Sequence, residues 1–155
     1  MSEEDDNPGV IIFPPLLAVI CTAVGFIAHF LSYDHWALSG WFRALGGVMV
    51  VAGYAIVIWG RNVMKAAGTN VRPDMPSTTI VADGPFAFTR NPLYLSLLMM
   101  FAGTGIALAS PAFLLIIIPF FLVLHFGVVL REERYLEAKF GDAYRAYKAH
   151  VRRWI

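Results

Sequence analysis

Residues 111–130 read PAFLLIIIPFFLVLHFGVVL, and REER follows at once at 131–134. Twenty residues without one Asp, Glu, Lys or Arg match the length of helix that crosses a hydrocarbon core about 30 Å thick. The switch to four consecutive charges marks where the chain leaves that core. Three more apolar stretches lie upstream, at about 92–110, 40–60 and 10–31. The first of these joins 111–130 through Ser110-Pro111, a joint short enough to predict a helical hairpin. Pro119 predicts a kink in the last span because it removes a backbone donor. Pro14-Pro15 sits near the start of the first span, where helices tolerate proline best.

Composition agrees with a bilayer. Hydrophobic residues make up 58% of the 155 and charged residues 15%, against about 25% charged in a soluble domain. The fold class expected is therefore an all-α integral membrane protein, one membrane domain over 1–155 with about four transmembrane helices. A cytosolic loop at 61–91 and a cytosolic helical tail at 131–155 complete it. The single cysteine, Cys21, lies in the first span and says nothing of redox compartment. The opening run Ser2-Glu3-Glu4-Asp5-Asp6 lacks the basic character of a secretory signal, so the first apolar block reads as a retained span.

Basic residues orient the spans. Eleven of the 12 Lys and Arg fall within 61–90 and 131–155; the other is Arg43. The positive-inside rule places both regions, and with four spans the N-terminus too, in the cytosol. The membrane is a bacterial inner membrane or the endoplasmic reticulum.

Within the second span Gly46, Gly53 and Gly60 recur every seven residues on one helix face, which predicts close approach of a neighbouring helix. The 61–91 loop contains Gly68, Pro73, Pro76, Gly84 and Pro85 and cannot be one helix. Its Ile80, Val81, Phe86 and Phe88 predict that it packs onto something. In the tail, Leu136, Phe140, Tyr144, Tyr147 and Val151 form an apolar stripe at helical spacing. Gly141-Asp142 is expected to divide the tail into two helices, with Asp142 capping the second. The tail lies on the membrane surface or folds back over the ends of the spans.

Two clusters could carry chemistry. Residues 84–94 read GPFAFTRNPLY. There, Pro92 suits a first helical turn, whose free N–H groups favour an anion, and Arg90 adds a forked donor. A membrane anchor plus a helix start is the plainer alternative. Arg131-Glu132-Glu133-Arg134 is the second cluster, with a solvated charge group as its alternative. His125, seven residues before Glu132, is either functional or a neutral histidine hydrogen-bonded to a neighbouring helix. His29 and His35 fall near the opposite face and receive no role. No metal-ligand spacing, nucleotide fingerprint, phosphate loop or serine elbow is present, and no nucleic-acid partner is expected.

Taken jointly, Gly84-Pro85-Phe86, Arg90-Asn91-Pro92-Leu93-Tyr94, the apolar hairpin, Glu132-Glu133 and the stripe through Tyr144, Tyr147, Val151 and Arg153 resemble the isoprenylcysteine carboxyl methyltransferase family, which is related to the phospholipid N-methyltransferases. The resemblance runs from about Thr78 onward. It implies a membrane methyltransferase that uses S-adenosylmethionine, with Arg90, Glu132 and Glu133 as the residues of its chemistry. By position it puts cofactor contacts on Thr78, Thr79, Ile80, Val81, Phe86, Asn91, Pro92, Leu93, Tyr94 and Glu132. It leaves the base open between Glu133 and His125, and a carboxylate or thiolate acceptor needs none.

The family usually has histidine at the place of Asn91, and its eukaryotic carboxyl methyltransferases have a substrate arginine at the place of Val128. Both departures weigh against a prenylcysteine carboxylate, and the lipophilic acceptor is open between a prenylcysteine-like carboxylate, a lipid and another small isoprenoid. An NADPH-dependent membrane reductase and a non-catalytic subunit or small transporter are the competing readings.

Overall fold

In a computed structural model of the chain, residues 7–32, 35–72 and 75–155 are described. The acidic run from Ser2 to Asp6 and Pro73 in the loop lie outside the described residues. Seven α-helices are present among them: α1 Pro14–Leu31, α2 Gly40–Ala66, α3 Pro92–Ala107, α4 Pro111–Leu115, α5 Ile117–Leu124, α6 Leu130–Phe140 and α7 Asp142–His150. A 3-10 turn at Gly84–Ala87 precedes α3, and a π-helical turn at His125–Val129 joins α5 to α6. The run Pro111–Phe140 forms one rod of 30 residues with mean hydropathy 2.8 over its apolar window. That rod, α1 and α2 are long and apolar enough to cross a membrane. Helix α3 has 16 residues, about 24 Å at 1.5 Å per residue, so it is the short member of the set. The protein is an all-helical integral membrane protein.

Element boundaries differ from the expected spans for local reasons. Helix α1 starts at Pro14 rather than near residue 10, because Phe13 is extended and the Ile11 N–H donates to the Gly127 carbonyl at 3.1 Å. Helix α2 runs on to Ala66. Nothing from Arg61 to Ala66 breaks a helix, and the chain turns only where Gly68 takes φ +71°. Helix α3 stops at Ala107, after which Ala109 adopts φ 52° and Ser110 caps α4 by accepting from the Phe113 N–H.

Pro119 does disturb the rod, one turn upstream of itself. Lacking an N–H, it cannot bond the Leu115 carbonyl, and there the Ile116 N–H bonds Phe113 instead, three residues back. The π turn, closed by the Leu130 N–H on the His125 carbonyl, is a second irregularity that the pattern of apolar residues does not show.

The glycine repeat meets its neighbour as expected. Gly46, Gly53 and Gly60 are the buried residues of α2 and all face the α3 side. A Cβ on Gly46 would lie 2.5 Å from the Ala107 nitrogen and the Gly103 oxygen, which are backbone atoms that cannot swing aside. The other half of the bundle packs through rings. Phe113 and Phe120 are fully buried with Leu124 and Val128. Phe101 sits with its ring centre 4.6 Å from Phe113 and 5.4 Å from Phe120.

Gly141, at φ +53°, separates α6 from α7. Glycine itself occupies the cap position, so Asp142 does not cap α7; its carboxylate pairs with Arg145. The tail folds back over the bundle end. The Arg90 N–H donates to the Arg152 carbonyl at 2.9 Å, and the Thr89 hydroxyl and the Asn91 side-chain amide donate to the Arg153 carbonyl at 3.0 and 2.9 Å.

Candidate active site at the tail end of the bundle

The start of α1, the end of α2, the start of α3 and the start of α6 converge beneath the tail. Between them lies a cavity of about 290 Å³. The 3-10 turn puts Phe86 in its wall, and α7 contributes Tyr144 and Tyr147. Most of the wall is apolar, supplied by Pro14, Val57, Met64, Leu93 and Leu97 among others. A few polar groups are set into it. That combination is the usual character of a small-molecule site.

The two adjacent glutamates have separate partners. Glu132 accepts from the Tyr94 hydroxyl at 2.8 Å, and both side chains line the cavity. Glu133 is buried and receives a fork from Arg153, with Nε and Nη2 each donating at 2.9 Å. Arg90 adds a contact from Nη2 at 3.3 Å, and its side chain is only 8% exposed. Its Nε and Nη1 are buried and have no hydrogen-bond partner among the described residues. A buried donor left unpaired costs about 1–3 kcal/mol, and more when charged. Arg90, which also lines the cavity, therefore suits an anionic group there.

Tail ionisation is settled by the same packing. Burial pushes the Tyr147 phenol up to about 12, opposed by the Arg90 charge, so it stays protonated and donates to the Phe86 carbonyl at 2.7 Å. Burial likewise holds the Tyr144 phenol well above its ordinary value, and the nearby Glu133 charge reinforces this. The hydrogen bond to Glu133 raises the Arg153 guanidinium above its ordinary value.

Of the expected residues, Thr79, Ile80, Val81, Phe86, Arg90, Asn91, Pro92, Leu93, Tyr94, Glu132 and Glu133 all line this one cavity. Thr78 does not; its hydroxyl donates to the Gly68 carbonyl and its N–H to the Thr69 hydroxyl. Its role is to shape the loop. Phe88 does not pack down, being 76% exposed.

His125 lies off the cavity among Phe121, Phe126 and Trp154. Among the described residues its Nδ1 makes no hydrogen bond. Wall residues absent from the expected set include Phe13, Arg61 and Met64. They come from helix ends of ordinary composition, and no local signal separates them from membrane anchors.

The loop motif and the paired glutamates of this polytopic helical protein thus meet at one pocket at the bundle end. The chain matches the phospholipid methyltransferase family model over residues 41–143, and it belongs to that family. The match begins well upstream of Thr78 and takes in α2. An uncharacterized protein of Haemophilus influenzae is 46% identical to this chain over 63 residues, which are 41% of this chain and the whole of that protein.

Proposed function

We propose that the protein is an S-adenosylmethionine-dependent methyltransferase acting on a lipophilic acceptor, with its cavity opening to the cytosol. One observation carries the reading: a single cavity collects residues 79–81, Phe86 and the 90–94 turn from one part of the chain and Glu132 from another. When bound, the cofactor supplies an electrophilic methyl group on a sulfonium. The chain's part is to bind and orient. Arg90 offers two unpaired donors to a carboxylate, and Glu132 suits an ammonium or a ribose hydroxyl. The faces of Phe86 and Tyr94 suit a cation. Holding two reactants in attack geometry supplies much of the rate of such a displacement.

The acceptor's route is supported by helix packing. Helices α1 and α2 each pack on α3 and are not packed along one another. Val57 of α2 and Leu97 of α3 give the cavity an apolar wall within the bundle, which suits a lipophilic molecule that arrives from the bilayer. Both oxygens of Glu133 are held by arginine, and His125 stands outside the cavity. An acceptor that is already a nucleophile, such as a carboxylate or thiolate, needs neither as base. The cytosolic orientation rests on the basic residues, of which only Arg43 belongs to the far end of the bundle.

Calorimetric titration of the purified full chain in lipid nanodiscs with S-adenosylhomocysteine, beside NADPH, tests the reading. Saturable binding of the first and none of the second is expected. No binding of S-adenosylhomocysteine by a demonstrably folded sample would overturn it.

A further inference from the structure

The strap at residues 151–155 does more than cover the end of the bundle. Three of its hydrogen bonds reach residues 89–91: Arg90 N–H to the Arg152 carbonyl, and the Thr89 and Asn91 side chains to the Arg153 carbonyl. These bonds fix where the Arg153 guanidinium stands. From there it takes both oxygens of Glu133 in a forked pair, 2.9 Å on each arm. A two-armed arginine–carboxylate pair is the strongest and most directional of the common ion pairs. Glu133 is thereby left with only a longer 3.3 Å contact to one Arg90 nitrogen, Nη2. The remaining donors of Arg90, Nε and Nη1, stay unspent in a buried position on the cavity wall.

We propose that Arg153 is a positioning residue for the ligand site. By engaging Glu133 it prevents that carboxylate from taking Arg90 in a fork of its own, and so keeps Arg90 available to an anionic group in the cavity. The inference rests on the cofactor reading above, in which that group is the amino-acid carboxylate. Without Arg153, Glu133 loses both arms of its fork and keeps Arg90 as its nearest cation. The buried pair would close on itself, because a buried carboxylate left unpaired is more costly than one that rotates to its neighbour. The strap then decides whether Arg90 faces the ligand or its own glutamate.

A mutant cycle tests this with two ligands, S-adenosylhomocysteine and its decarboxylated analogue S-adenosyl-3-thiopropylamine, titrated into the full chain in nanodiscs. Arg153→Gln is expected to weaken S-adenosylhomocysteine about tenfold or more, the scale of a lost charge-assisted bond, and to leave the decarboxylated analogue within about twofold. Adding Glu133→Gln to Arg153→Gln should restore most of the lost affinity, since no carboxylate remains to capture Arg90. A strap with a merely structural role predicts the opposite. Both ligands would weaken together, and the double variant would be no better than the single.

Either that pattern or unchanged affinity in Arg153→Gln overturns the inference while leaving the cofactor reading intact. Failure of the unaltered chain to bind S-adenosylhomocysteine removes both. Should Arg153→Gln not fold, judged by thermal melting, the Arg153→Lys variant carries the same comparison. It retains the charge without the fork and is expected to weaken only the carboxylate-bearing ligand.

Discussion

The two ends of the helical bundle are held together by different forces. At the far end, where α2 begins and α3 meets α4, contact is close and mostly dry. Gly46 presses its backbone against Gly103 and Ala107, and Phe113 is fully buried against Phe101. The polar ties there run largely to main-chain carbonyls, such as Arg43 Nε to Ala107 and Trp36 N–H to Ala109. At the tail end the helices stand apart around a cavity, and side chains span the gap: Tyr94 to Glu132, Arg153 and Arg90 to Glu133, Tyr147 to Phe86. Close packing gives stiffness, since interiors packed to crystal-like density transmit strain rather than absorb it. Side-chain bridges around a void leave donors and acceptors that a ligand can use. Close packing is concentrated at one end and the cavity lies at the other.

Substitutions that separate the two ends put that contrast at risk. Phe113→Ala at the dry end should lower stability the most, by about 3–5 kcal/mol for a buried Phe reduced to Ala. Thermal melting in nanodiscs measures the loss. The folded fraction should still bind S-adenosylhomocysteine with nearly unchanged affinity, and a parallel fall in affinity would show that the ends are not separable. Glu132→Gln at the cavity reverses the signature. Loss of a charge-assisted bond of about 1.5–3 kcal/mol should weaken the ligand tenfold or more with little change in melting temperature. An unchanged dissociation constant would exclude Glu132 from the site.

The smallest effect should come from Tyr94→Phe. It deletes the hydroxyl that orients Glu132, worth about 0.5–1.5 kcal/mol as an ordinary hydrogen bond. That corresponds to a loss of severalfold in affinity by calorimetry, with the aromatic face retained. A loss as large as that of Glu132→Gln would instead assign the tyrosine hydroxyl a direct contact with ligand.

Much of the dry end is legible in the sequence, because its forces are local and periodic. Glycines seven apart must share a helix face, and that face is the one α3 occupies. Twenty uncharged residues in a row require a span. The tail end is legible only in part. Residues 84–94 and Glu132 stand out by type and spacing. Phe13, Arg61 and Met64 enter the cavity wall because helices distant in sequence converge there, and nothing in their neighbours announces it. Thr78 has the right position in the motif, yet its hydroxyl is spent on the loop's own backbone.

Fold class and the approximate place of the long apolar helices follow from the sequence by itself, through hydropathy and periodicity, and residues 84–94 and the Glu132-Glu133 pair, most of which line the cavity, stand out there by residue type. The division of labour between Glu132 and Glu133 was decided by tertiary structure alone. Neighbouring residues on a helix point about 100° apart, so the two members of an adjacent pair meet different partners. Which partner each one meets depends on the helix phase. Here the π turn at His125–Val129 inserts a residue just upstream and shifts that phase, and the returning strap brings Arg153 to Glu133. Neither the extra residue in the turn nor the return of the strap is visible in the order of side chains, because both arise from contacts between parts of the chain that are far apart in sequence.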